Sequence, residues 1–128
     1  MAGLIEIFEK HNKFSWFIVI VIAGIIFYIS SLSFAPSAGA VWNINSILYH
    51  FVAFFFLGFF LLVSLIKGDK RKFIIIAIII AIVYAVSDEF HQLFVPGRNC
   101  SFSDFLLDSC GILLASFIYV LSLKFRKS

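Results

Sequence analysis

Four runs of about twenty residues, near 16–34, 46–66, 73–94 and 102–123, are dominated by Ile, Phe, Leu, Val and Ala. A bilayer core of about 30 Å takes about 20 apolar residues as a helix. Four such passes with short loops use up nearly all of the 128 residues. The chain therefore reads as an all-α polytopic membrane protein, one domain over 1–128 folded as a four-helix transmembrane bundle. Only 13% of its residues are charged, where soluble domains average about a quarter. Its 18 phenylalanines suit a chain dissolved in lipid.

Residues 1–14 set Leu4, Ile5, Ile7 and Phe8 against Glu6, Glu9, Lys10 and Lys13, the pattern of a short interfacial helix. No small-residue cleavage site follows a short apolar core, so no signal peptide is expected. Trp16 and Trp42 are placed to anchor the first two spans at the interfaces. Pro36 and Gly39 break the chain after the first span. Val95-Pro96-Gly97-Arg98 predicts a type II turn. Ser101-x-x-Asp104 predicts a capping-box start to the fourth span. Cys100 in a loop and Cys110 inside the next helix predict two free thiols.

With four spans, the N-terminus, the 67–72 loop and the C-terminus share one side. That side carries Lys10, Lys13, Lys67, Lys70, Arg71, Lys72, Lys124, Arg126 and Lys127, whereas the other carries Arg98 alone. The positive-inside rule makes the basic side, with both termini, cytoplasmic. Basic residues at helix ends are topology signals, so the +3 net charge does not point to nucleic acid.

Four of the seven acidic residues fall between Tyr84 and Gly111. At 1.5 Å per residue, Asp88, Glu89, His91 and Gln92 sit toward the outer end of span three, and Asp104 and Asp108 at the outer start of span four. His50 lies one turn inside span two, and Ser30 and Ser31 end span one at the same depth. One outward-facing polar pocket is the economical reading. A carboxylate in the membrane costs about 2.5–3.5 kcal/mol, so such groups need a partner or a task. Asp88, His91 and Gln92 are spaced to share one helix face, with Tyr84 below and Glu89 directed about 100° away. Asp104, Asp108, Gly111 and Ala115 form a stripe, small below and acidic above, expected to pack on the Asp88 face.

Asp88, Glu89 and His91 are the candidate catalytic groups, as base, carboxylate partner or ligand. His50, Asp88, Glu89, His91, Gln92, Arg98, Asp104 and Asp108 are the candidate ligand-binding set, with Arg98 suited to a phosphate or carboxylate. The bland alternative is a polar staple in which His91 and Arg98 pair with carboxylates to join spans three and four. Two histidines among carboxylates would suit zinc or magnesium. The spacing is no recognised metal signature, so no metal is assigned and no cofactor is required.

The run D-E-F-H-Q-L-F-V-P-G-R at 88–98, S-F-S-D at 101–104, Gly111, His50 with Leu57-Gly58, and Ser30-Ser31 together resemble the VanZ-like family of small bacterial membrane proteins. The likeness spans nearly the whole chain. Ser46-Ile47 stands where the family resemblance leads one to expect Asp-Lys, and Asp108 where it leads one to expect Asn. The lost Lys and the extra carboxylate of Asp108 together make the pocket more acidic, which tells against anion binding. The resemblance implies a multi-pass protein of the bacterial plasma membrane, associated with resistance to the lipoglycopeptide teicoplanin. Three functions remain open. One is an envelope protein whose pocket binds or modifies a lipid-linked cell-wall precursor or the lipoglycopeptide, with membrane lipids as neighbours. Another is a metal-assisted hydrolase or transferase. The last is an oligomeric binding or transport subunit.

Overall fold

The computed structural model describes residues 2–33, 44–68 and 70–126. The expected breakers Pro36 and Gly39, the anchor Trp42, and Asp69 and Lys127 lie outside them. Among the described residues there are five α-helices and no strand: α1 Ala2–Lys10, α2 Asn12–Ser30, α3 Ile44–Ile66, α4 Ile74–Gln92 and α5 Phe102–Arg126. A 3₁₀ turn, Arg71–Phe73, leads into α4. The four long helices are long and apolar enough to cross a membrane. Large side chains such as Phe17, Ile20, Ile75 and Phe117 point outward along them, as lipid contact requires.

The helix ends differ from the sequence expectation for local reasons. Helix α2 begins four residues before Trp16, which leaves that ring half-buried against the core instead of at a helix start. Helix α4 closes at Gln92, because the N–H groups of Leu93, Phe94 and Val95 turn back three residues to Phe90, His91 and Gln92. Pro96 disfavours helical backbone at the residue before it, so the chain unwinds ahead of it. The expected turn follows: Gly97 has φ +79, and Arg98 N–H meets the Val95 carbonyl at 3.1 Å.

Helix α1 is tied to the bundle more firmly than a surface helix need be. Ile5 is buried, whereas Leu4 and Ile7 are exposed. Glu9 accepts a hydrogen bond from the Tyr119 hydroxyl at 2.6 Å and pairs with both terminal nitrogens of Arg126 at 2.7 and 3.1 Å. Ser15 Oγ donates to the Phe8 carbonyl at 2.6 Å, fastening α1 to α2.

The small-and-acidic stripe of α5 packs on α3, not on the Asp88 face of α4. A Cβ on Gly111 would overlap the Phe51 carbonyl oxygen and stand 2.9 Å from the Phe55 nitrogen, and one on Gly58 would stand 3.3 Å from the Ile112 Cα. Two glycines, one from each helix, thus bring the two backbones together, as small residues do between membrane helices. Phe54, Leu57, Leu61 and Ile112 fill the core beside this seam, together with Val19 and Ile26 of α2 and Ala81 and Ala85 of α4.

Candidate functional site

Ser101 caps α5. Its hydroxyl oxygen accepts the Asp104 N–H at 3.3 Å, and its carbonyl accepts the Phe105 N–H at 3.1 Å. In a reciprocal capping box the acidic residue three positions on reaches back to the cap's own N–H. Here Glu89 of α4 does so instead, with Oε2 2.8 Å from the Ser101 nitrogen. The Asp104 carboxylate is thereby left to face α3.

What it faces is His50, which is buried, as is Asp108. His50 Nδ1 lies 3.0 Å from Asp108 Oδ1. An ionised carboxylate only accepts, so with Asp108 ionised the hydrogen sits on Nδ1. Nε2 then points toward Asp104 Oδ2 at 3.8 Å, beyond hydrogen-bond range. Glu89 completes this corner: one donor atom each from His50, Glu89 and Asp104 fall within 4.8 Å of one another. Asp108 Oδ2 is buried with no hydrogen-bond partner among the described residues.

Asp88 and Gln92 sit beside this corner, both buried. Gln92 Nε2 donates to Asp88 Oδ2 at 3.1 Å and more weakly to Glu89 Oε1 at 3.4 Å, joining the two acids on α4. Tyr49 is a neighbour that sequence reasoning missed. Its hydroxyl is buried without a hydrogen-bond partner among the described residues and lies within electrostatic reach of Asp88, Arg98 and Asp108. The one available signal was its place next to His50 in a helix otherwise rich in Phe.

His91 and Arg98 engage α2. His91 Nε2 is 3.0 Å from Ser31 Oγ, and its ring stacks on Phe27 with centroids 4.7 Å apart. Ser31 spends its own proton on the Phe27 carbonyl at 2.7 Å, so it is His91 that donates. Arg98 Nη2 donates to the Ile29 carbonyl at 3.0 Å, near the C-terminal end of α2, where cations are favoured. Tyr84 donates to the Ala23 carbonyl at 2.7 Å. Asp88, Gln92 and His91 therefore share a helix, but only the first two turn into the acidic corner. Glu89, expected to face elsewhere, turns there as well. Ser30 is buried, and its hydroxyl has no hydrogen-bond partner among the described residues.

Beside the corner a cavity of about 340 Å³ opens between the end of α4 and the start of α5, lined by Val86, Glu89, Phe90, Cys100, Ser101, Phe102 and Phe105. Its walls are almost entirely apolar, and Glu89 is its one ionisable carboxylate. Cys100 is a free thiol. The thiol is exposed, yet the slight desolvation by its surroundings and the nearby Glu89 and Asp104 carboxylates push it above the ordinary thiol range.

A helical membrane bundle with buried carboxylates and a histidine gathered at one end is the class that this fold and site define. A family model described as VanZ/LLP1 matches residues 11–123, and the chain belongs to that family. The matched stretch takes in every residue of the acidic corner. No curated protein and no solved structure matches the chain.

Proposed function

We propose that this protein works in the cell envelope of a bacterium, with its acidic end outward from the plasma membrane, and that this end binds or modifies a lipid-linked or cell-wall-related molecule. The nine-to-one distribution of basic residues supports the orientation, with both termini in the cytoplasm. The observation that carries the ligand class is the apolar cavity ending on Glu89. A molecule with an acyl or isoprenoid tail would lay that tail between Phe90, Phe102 and Phe105, at the membrane's edge, and bring its polar head to Glu89, Asp104 and His50. Family membership supports a link to teicoplanin, whose own acyl chain suits the same arrangement.

The test is a pair of variants, Asp88→Asn and Phe105→Asn, scored for teicoplanin susceptibility in a sensitised host beside folded yield in detergent. Loss of protection by folded variants supports the reading. Full protection by both, or none by the unsubstituted protein, overturns it.

A further inference from the structure

The corner formed by His50, Glu89 and Asp104 has the makings of a metal centre, and we infer that it binds one divalent transition ion, Zn²⁺ or Mn²⁺. The inference adds an inorganic partner to the end of the bundle discussed above and stands whether or not a lipid-linked molecule binds there. Three residues from three helices each present a donor atom, and these atoms lie within 4.8 Å of one another. Ligands at about 2.0–2.2 Å from a shared tetrahedral zinc ion stand about 3.3–3.6 Å apart, so the set would close on an ion by tightening about 1 Å. The His50 Nε2 to Asp104 Oδ2 distance of 3.8 Å is too long for a hydrogen bond and close to that of two ligands on one ion.

The second observation is the group behind the histidine. Metal-binding imidazoles hand their other N–H to a carboxylate or carbonyl, which fixes the tautomer and the ring's aim. Asp108 does this for His50 at 3.0 Å from a fully buried position, and its other oxygen has no hydrogen-bond partner among the described residues. A simple helix staple would need the His50–Asp108 pair alone. It would not need Asp104 set against the opposite nitrogen with Glu89 gathered beside both, and ionised acids at membrane depth call for a counter-charge. A divalent cation neutralises them. One imidazole and two carboxylates suit zinc or manganese better than the softer, thiolate-seeking ions. Cys100, though near Glu89, is not among the three. Glu89 can serve while keeping the α5 cap, because one oxygen holds the Ser101 N–H and the other has only the long Gln92 contact at 3.4 Å. Three protein ligands leave coordination positions open to water or to an anionic head group. His91, turned to Ser31 and Phe27, is excluded from the set.

The full chain, purified in detergent and stripped with chelator, would be titrated with Zn²⁺ alone and Mn²⁺ alone, with bound metal counted by elemental analysis and affinity read by calorimetry. One ion per chain is expected, with uptake abolished in His50→Gln and Asp104→Asn, weakened about 10–100-fold in Asp108→Asn as for other groups behind a ligand, and unchanged in His91→Gln. Glu89→Gln keeps an acceptor for Ser101 and serves as a variant expected to fold. Circular dichroism confirms that each variant is helical before it is counted. A folded parent protein that takes up neither ion at micromolar concentration overturns the inference. So does equal uptake by parent, His50→Gln and Glu89→Gln. Neither result depends on teicoplanin, so failure here leaves the envelope reading standing, and loss of protection by Phe105→Asn with intact metal uptake separates the two.

Discussion

Gly111 of α5 lies directly on the Phe51 carbonyl of α3, with no room for a side chain between them. Because the obstacle is backbone, Gly111→Ala must push two helices apart and draw His50 away from Asp108. Overpacking of this kind costs about 1–3 kcal/mol or more. Gly58→Ala, whose Cβ would stand 3.3 Å from the Ile112 Cα, is expected to cost less. Gly24→Ala meets nothing within 4 Å and should be neutral or gain about 0.5–1 kcal/mol from helix propensity. Detergent-driven unfolding followed by circular dichroism ranks the three, and equal midpoints for Gly111→Ala and Gly24→Ala would contradict the seam.

Asp108 is expected to separate shape from charge. Asp108→Asn keeps an oxygen for His50 Nδ1–H and should leave the fold nearly intact. Asp108→Leu strands that buried donor, at about 1–3 kcal/mol. The same unfolding measurement decides it: if Leu is tolerated as well as Asn, the 3.0 Å pairing contributes nothing.

At the other end of the bundle, Glu9 holds α1 through Tyr119 and Arg126. Glu9→Ala removes hydrogen bonds to a charged group, each worth about 1.5–3 kcal/mol, and should free α1. Trypsin cleavage after Lys10 and Lys13 is expected to quicken severalfold, with little change in the rest of the chain. Glu9→Gln retains an acceptor for Tyr119 and should fall between. Unchanged cleavage in Glu9→Ala would show that Ile5 anchors the helix by itself.

Cys100 gives an orientation test with a pH signature. With its exposed thiol raised by slight desolvation and by Glu89 and Asp104, less thiolate is present at neutral pH than for an ordinary cysteine, so labelling should be slow and rise with alkalinity. Asp104→Asn removes one repelling charge, lowers the thiol's range and should speed labelling at pH 7. In intact cells carrying Cys110→Ser, a membrane-impermeant maleimide is expected to label Cys100. Protection from it would place the acidic end inside.

The spans, the turn at Pro96-Gly97 and the Ser101 cap were legible because each depends on neighbours in sequence: hydropathy over twenty residues, proline's fixed φ, a hydroxyl three residues from an N–H. The partners across helices were not. Periodicity placed Asp104, Asp108 and Gly111 on one stripe, but a stripe does not say which of three neighbouring helices it meets, and it met α3. The same gap separated His91 from Asp88. One turn of helix puts them side by side, and a serine at the end of α2 then drew the imidazole away. Glu89 was misjudged for a related reason: its partner, the Ser101 N–H, is a backbone group, and side-chain patterns do not reveal which backbone donors lack an acceptor.

The seam between α3 and α5 joins parts of the chain that leave the ribosome far apart in time. Helix α3 enters the bilayer with its glycine face bare and His50 unanswered, and it stays so while the basic loop and α4 follow. Asp108 and Gly111 follow only with α5. The α3 side of this seam can therefore be covered only once α5 has been made, two helices later in the chain. A chain halted before Phe102 would sit in the membrane with a polar, uncovered face, the kind of surface by which quality control recognises unfinished membrane proteins.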